Sequence, residues 1–338
     1  MIESNNFIER AKEKNSNEYL NQLGKNNLII YSPTSLKKEK ICNKYCKLIN
    51  WHDITKEITK INKFIENNRE ISSITSYGGG SAIDIAKYIA YKLNINYICI
   101  PTMLSTNSYA TDKVALIMNN KKITLNAKLP NEIIVDNELL KLSREENIYG
   151  LADVLSIFTA LYDWKISDED NVEIINEYIY KKSSNLLERT LNFIMQNSLE
   201  NISNNNIKLF KLIGEAGYIT NVYGTGRPES GSEHILAKEI EKRINIPHGI
   251  AVSIGIVIMS IIQNQNNENI IRAIIKLKIL NKAKIYGLNI NIIRESLKGV
   301  HIREDRYTIV YRKKPLAIAD AVIYEFENII RKNEVKLN

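Results

Sequence analysis

The sequence predicts an α/β domain built on a parallel sheet, followed by an all-helical domain. Three observations carry this. Strand-like and helix-like stretches alternate from Asn27 to Val135, the pattern of a parallel sheet with helices on both faces. A strand, glycine turn and helix stand in the middle of that alternation, from Ile74 to Lys87 (ITSYGGGSAIDIAK). From about Leu139 the strand signals fade and helical spacing takes over. A boundary near residues 138 to 150 divides an α/β domain over 1–145 from an all-α domain over 146–338.

Taken in order, residues 1 to 24 read as a helix with a polar lead-in. Asn27–Ser32 (NLIIYS) is a buried type of strand, closed by Pro33. Leu36–Leu48 has helical spacing, Asn50–Ile54 reads as a short strand, and Glu57–Asn68 as a helix. Ile74–Tyr77 is the strand before the glycines, and Asn96–Ile100 an apolar strand closed by Pro101. Val114–Met118 and Lys122–Leu125 flank Asn119-Asn120, which predicts a hairpin. Glu132–Val135 is another strand, entered from Pro130. In the second half Ile250–Ile262 predicts a central buried helix, and the asparagine-rich Asn197–Asn206 a surface loop.

Composition bounds the class. A chain of 338 residues, 44% apolar and 25% charged, fits a soluble globular protein of one large or two ordinary domains. No apolar run reaches the roughly 20 residues of a membrane helix. The N-terminus MIESNNFIERAKEKNS lacks the apolar region of a signal peptide, so a cytoplasmic protein is expected. Cys42, Cys46 and Cys99 are too few for a disulfide framework, and no further ligand stands near the first two. The net charge of +8 comes without a basic block interleaved with aromatics, which argues against nucleic acid and suits a small anionic substrate.

Gly78, Gly79 and Gly80 let a ligand approach the backbone closely. Ser81 is placed to cap the following helix, and Asp84 puts charge in its first turn. Free N–H groups and a partial positive charge at such a helix start suit a phosphate. The stretch is neither a G-x-G-x-x-G fingerprint nor a Walker A loop. In parallel sheets ligands bind beyond the carboxyl ends of strands, and PTMLSTN (residues 101–107) is a second such end, rich in hydroxyl and amide groups.

Four histidines occur, and two have distinctive settings. His234 lies just inside a helix start after Gly231-Ser232, and His248 heads the long apolar helix. Asp153 sits in the first turn of the apolar helix of GLADVLSIFTALYDW, where a carboxylate is costly to bury unless paired or bound to a cation. Two imidazoles and a carboxylate suit a divalent catalytic metal. The three come from separate helices, so spacing leaves a metal site and ordinary polar roles both open.

Taken together, GGGSAIDIAK, PTMLST, GLADVLSIFTALYDW, GRPESGSEH, PHGIAVSIG and REDRYTIV resemble the iron-containing alcohol dehydrogenase and dehydroquinate synthase superfamily, over roughly residues 25 to 315. They are most similar to sn-glycerol-1-phosphate dehydrogenases, with glycerol dehydrogenases next. The resemblance implies a dehydroquinate synthase-like fold. Its N-terminal domain has a Rossmann-like sheet that binds NAD or NADP. Its helical domain holds metal and substrate, with the active site in the cleft. It implies one divalent ion, Zn²⁺ first and Fe²⁺ or Ni²⁺ as alternatives, on Asp153, His234 and His248. Gly78, Gly79, Gly80 and Ser81 would hold the pyrophosphate, with Asp84 beside them. Thr102 and Ser105 would contact the nucleotide nearer the nicotinamide. Arg227 and Arg306 would serve a substrate phosphate or the architecture of the site. A homo-oligomer is expected.

The chain also departs from these relatives. Asn107 stands where they have aspartate, with Asp112 near enough to compensate. Lys238 stands four residues past His234, where many relatives carry a histidine. Lys113 matches a lysine of the cyclases, but Ser156 and Asp153 replace another lysine and a glutamate of theirs. No acidic residue follows Tyr31-Ser32, which leaves both NAD and NADP as cofactors. The leading expectation is a metal-dependent NAD(P) dehydrogenase of a small polyol or polyol phosphate. The alternatives are a sugar-phosphate cyclase, a glycerol dehydrogenase-like enzyme, and a nucleotide-binding protein that has lost activity.

Overall fold

The structure, a computed structural model, describes residues 6–24, 26–33 and 47–335. Cys42, Cys46 and most of the helix expected over Leu36–Leu48 lie outside the described residues. The chain forms two compact units. The first contains the residues up to Asn147 together with Asn206–Asn221, and the second contains Ile148–Asn205 and Val222–Asn338.

The first unit is built on a six-stranded parallel sheet. Its strands are β1 (Ala11–Glu13), β2 (Asn27–Tyr31), β3 (Lys47–Asn50), β4 (Ser73–Gly78), β5 (Asn96–Pro101) and, after a separate hairpin of β6 (Lys113–Met118) and β7 (Lys121–Asn126), β8 (Glu132–Val135). They lie in the order β1-β8-β5-β4-β2-β3. The inner strands are almost wholly buried, because helices cover a parallel sheet on both faces. The register aligns Tyr31 with Tyr77 and Gly78 with Pro101. The Ser32 N–H therefore donates to the Tyr77 carbonyl (3.0 Å), and the Thr102 N–H to the Gly78 carbonyl (3.1 Å). Successive strands step outward from β2 to β3 and then back across β2 to β4. The crevice beyond β2 and β4 is the switch point where such sheets bind ligands.

Several local readings change. The helix expected within residues 1–24 is not continuous over the described part: β1 lies between short helices at Phe7–Arg10 and Ser16–Asn21 and pairs with β8. Its Ala-Lys-Glu sequence carries no apolar alternation, so only backbone pairing defines it. The strand expected over Asn50–Ile54 ends at Asn50, whose side chain accepts the His52 N–H (2.9 Å) and starts a helical turn over Trp51–Ile54. Ser198 caps a short helix, Leu199–Asn204, inside the expected asparagine-rich loop. The hairpin forms as expected, with Asn119 and Asn120 both at positive φ (52° and 60°).

The helix after the glycines runs Gly80–Leu93 and is capped at Gly79, not by Ser81, with no side-chain cap. Asp84 is the fifth residue of this helix, past its first turn, where it is buried and paired with Lys56 (2.7 Å). The glycines serve close approach. A Cβ on Gly78 would stand 2.8 Å from that of Ala82, one on Gly79 3.1 Å from Met103, and one on Gly80 3.2 Å from the Thr106 hydroxyl.

A fully buried lysine on this helix holds the loop after β5. Lys87 Nζ donates to the carbonyls of Ser108 (2.5 Å), Thr111 (2.6 Å) and Lys113 (3.0 Å). Burial lowers its pKa to about 8, with Asp84 opposing. The other side of the loop is held by Asn221, whose side-chain oxygen accepts from the Thr111 hydroxyl (3.2 Å) and the Asp112 N–H (2.9 Å). Gly217 abuts the backbone of Asn107 and Ala110, and the Tyr109 hydroxyl donates to the Phe210 carbonyl (2.6 Å). These contacts explain why Asn206–Asn221 groups with the first unit although it follows the helical part of the chain.

The second unit is helical. Its central helix, His248–Gln263, is buried along almost its whole length. Beside it pack the helices Leu151–Leu155 and Ser232–Glu241. Among the described residues no helix is long and apolar enough to cross a membrane.

Replacing Lys87 by methionine strands three buried carbonyls, each at roughly 1–3 kcal/mol. Urea unfolding of the variant should show a loss of about 3 kcal/mol or more. A loss below about 1 kcal/mol would mean that water replaces the ammonium.

Candidate metal centre

Three helices of the second unit each deliver one side chain. Asp153 lies in the first turn of Leu151–Leu155, surrounded in sequence by fully buried Leu151, Ala152, Val154 and Leu155. His234 is the third residue of Ser232–Glu241. His248 is the first residue of His248–Gln263, after Pro247. Two glycines let these helices approach. A Cβ on Gly255 would strike the Glu233 carbonyl, and one on Gly249 the Tyr149 carbonyl.

The side chains converge. Asp153 Oδ1 is 3.8 Å from His234 Nε2 and 3.6 Å from His248 Nε2. All three donor atoms lie within 4.8 Å of one another. These separations are too long for hydrogen bonds. They suit ligands about 2.0–2.2 Å from a shared ion, which stand roughly 3.4 Å apart on a tetrahedron. Asp153 Oδ1 is buried and has no hydrogen-bond partner, a costly state for a carboxylate oxygen unless a cation meets it. On this observation, and on the chemistry of the donors, the residues fit a divalent ion.

The far side of each imidazole is also engaged. His234 Nδ1 lies 2.7 Å from Glu233 Oε1, and His248 Nδ1 lies 2.5 Å from Glu241 Oε1. Burial works against protonation of His234, but the carboxylates of Asp153 and Glu233 outweigh it and raise the pKa to about 9. The surroundings favour positive charge at this point.

Around the centre runs a buried polar strut. Asp163 accepts from the N–H groups of Ser232 (2.6 Å) and Ile309 (2.8 Å) and from Gln263 Nε2 (3.1 Å). Burial and the neighbouring Glu233 push its pKa up to about 6. Arg227 is 1% exposed and donates to the carbonyls of Tyr307 (2.7 Å) and Asp163 (3.0 Å), with Glu173 3.1 Å from Nε. These bonds tie the stretch before His234 to the stretch that carries Arg306. They favour architecture, the second of the two roles expected for Arg227. Arg306 donates to the carbonyls of Ser230 and Gly226. Burial, then the nearby Arg303 and Arg227, lower its pKa to about 10. Among the described residues Arg306 has no carboxylate at ion-pair distance. Lys238 is half-buried on the His234 helix.

In the first unit Gly78, Gly79 and Gly80 lie beside Thr102, and Ser105 and Asn107 follow in the loop packed over them. Asn107 opens a tight turn in which its carbonyl accepts the Ala110 N–H (2.8 Å). Asp112 and Lys113 pair with each other (3.0 Å). Sequence reasoning missed Glu233, Glu241, Asp163 and Lys87. The available signal was slight, a glutamate directly before His234 and a lysine at the end of the glycine motif.

Comparison with known proteins gives the class first, that of the NAD(P)-dependent dehydrogenases. The profile of the family described as iron-containing alcohol dehydrogenase matches residues 10–143. A glycerol-1-phosphate dehydrogenase (NAD(P)+) of Methanococcus aeolicus is 32% identical over 263 residues, 73% of this chain and 76% of that protein. Its counterpart from Pyrococcus horikoshii is 28% identical over 322 residues, covering 91% and 89%. The chain belongs to the iron-containing alcohol dehydrogenase family, and within it these curated relatives are glycerol-1-phosphate dehydrogenases. Among solved structures, a probable glycerol dehydrogenase from Sinorhizobium meliloti aligns with TM-score 0.67 at 15% identity, covering 96% of this chain and 97% of that one. Sulfoacetaldehyde reductase from Bifidobacterium kashiwanohense aligns with TM-score 0.65 at 14% identity, covering 95% and 96%. At such identities these two speak for the fold alone.

His234 gives the metal-depleted protein a pH signature. Its folded pKa lies above the ordinary value of 6.5, so the folded state keeps a proton that the unfolded chain gives up. The resulting stabilisation is complete below about pH 6.5 and is lost as pH rises through about 9. In chelator, urea midpoints of the wild type should fall over this window relative to His234→Ala. Parallel pH profiles would contradict the assignment.

Proposed function

We propose that this protein is a metal-dependent NAD(P) dehydrogenase of small polyol phosphates, interconverting a hydroxyketone phosphate such as dihydroxyacetone phosphate with the corresponding polyol phosphate. The observation that carries the reading is the convergence of Asp153, His234 and His248 around an orphaned carboxylate oxygen in a chain of this family. Asp153, His234 and His248 are the residues that would hold the ion, zinc by donor set and iron or nickel as alternatives. When bound, a divalent ion there supplies Lewis acidity toward the substrate's carbonyl or hydroxyl oxygen.

The chain's own groups do the rest. The helix Gly80–Leu93 has no side-chain cap, so its first N–H groups and positive end are available to a pyrophosphate. Thr102 and Ser105 stand on the adjacent loop to orient the nucleotide nearer the nicotinamide. Ser81 follows in the first helical turn. Arg306 offers guanidinium N–H groups and a charge with no described carboxylate at ion-pair distance, which suits a substrate phosphate. Lys238 lies one turn along from His234 as the group to pass a proton. Asn107 can orient a hydroxyl by hydrogen bonding but cannot take its proton. The α/β unit thus serves the cofactor, and the helical unit the metal and substrate.

The curated relatives, named for glycerol-1-phosphate, support a phosphorylated substrate over plain glycerol. NADH and NADPH oxidation should be followed with dihydroxyacetone phosphate and with dihydroxyacetone, before and after chelation and zinc addition. The phosphorylated ketone should be preferred at least tenfold in kcat/KM, with activity lost to chelator and restored by metal. Arg306→Leu should raise KM for the phosphorylated ketone and leave that for the plain ketone unchanged. No turnover of either ketone with metal present would reject the proposal.

A further inference from the structure

We propose that Glu233 and Glu241 are positioning residues that fix the tautomer and orientation of the two ligand histidines, so that one helix governs how tightly the ion is held. The inference rests on the metal reading above and deepens it. The helix Ser232–Glu241 carries one ligand, His234, and both carboxylates. Glu233 Oε1 takes His234 Nδ1 at 2.7 Å. Two turns further on, Glu241 Oε1 reaches the Nδ1 of His248, which belongs to the next helix, at 2.5 Å.

An imidazole that donates Nδ1–H to a carboxylate has its lone pair on Nε2, and the hydrogen bond makes that nitrogen a stronger base. In both histidines Nε2 is the atom turned toward Asp153. The two carboxylates also add negative charge behind the ligands, which favours a dication.

The two supports are built differently. Glu233 is fully buried, and it also accepts from the Gly231 N–H (2.6 Å) and the Thr159 hydroxyl (2.7 Å). Its carboxylate is locked in place and contributes to the fold. The Glu241 side chain is 17% exposed and stands at the helix end, and glutamine there keeps its size and shape while removing its charge.

The test is zinc affinity in the full-length protein, read by competition with a chromophoric chelator, together with the visible absorption of the Co²⁺-substituted protein. Glu241→Gln should weaken zinc binding by roughly 10–100-fold and shift the Co²⁺ bands, with circular dichroism unchanged. Glu241→Asp should recover part of the loss. Glu233→Gln should weaken binding at least as much and also lower stability. Wild-type affinity and an unshifted Co²⁺ spectrum in Glu241→Gln would overturn the positioning role while leaving the metal site standing. A wild-type protein that takes up no zinc, or a His248→Ala variant that keeps it, would overturn both.

Discussion

A carboxylate oxygen without a donor organises the second unit. Burying the charge of Asp153 costs several kcal/mol unless a cation answers it. Its own helix is apolar on every side, so relief has to come from elsewhere in the chain. Two imidazoles approach it, and neither comes within hydrogen-bonding distance. Behind them stand Glu233 and Glu241, and behind Glu233 stand Thr159 and the Gly231 N–H. This layering has the sense of a metal site, in which outer carboxylates orient inner nitrogens. Asp163, Gln263 and Arg227 then lock the stretches that lead into His234 and Arg306. Gly255 and Gly249 explain how the helices come near enough, since a methyl group at either would strike a backbone carbonyl.

The first unit solves a different problem, which is to bring the strand ends and the loops that follow them close together. Parallel register sets Ser32, Gly78 and Thr102 side by side. The triglycine turn needs no left-handed backbone, since none of the three glycines has a positive φ. What the missing side chains permit is the close lie of Ser32, Met103 and Thr106. Lys87 then holds the covering loop from beneath with three carbonyl contacts, and Asn221 holds it from the other side. The loop after β5 is therefore fixed, although it is polar and irregular.

How much of this could be read from the chain depended on where each signal lives. The parallel sheet was legible because Asn27–Tyr31 and Asn96–Ile100, buried on both faces, read as largely apolar runs and Ile74–Tyr77 as a short β-prone one. The hairpin was legible because Asn119-Asn120 accepts the positive φ that its turn demands. By contrast, β1 has only three residues and a mainly polar sequence, so nothing local announces its pairing with β8. Asp153, His234 and His248 were singled out as candidate ligands through helix starts and motif order, while their convergence is a tertiary fact that no spacing encodes. Glu241 was invisible for the same reason: it lies seven residues before the histidine that it supports, across a helix boundary. Ser81 misled because a good capping residue sat two positions past the true cap, Gly79.

Anomalous diffraction from zinc-loaded crystals, collected on either side of the zinc absorption edge, tests the central claim most directly. The account predicts one strong peak about 2 Å from Asp153 Oδ1 and from the Nε2 atoms of His234 and His248, with Glu233 and Glu241 still on the Nδ1 atoms. A protein that carries stoichiometric zinc with the peak elsewhere, or with either histidine turned away from Asp153, would contradict it.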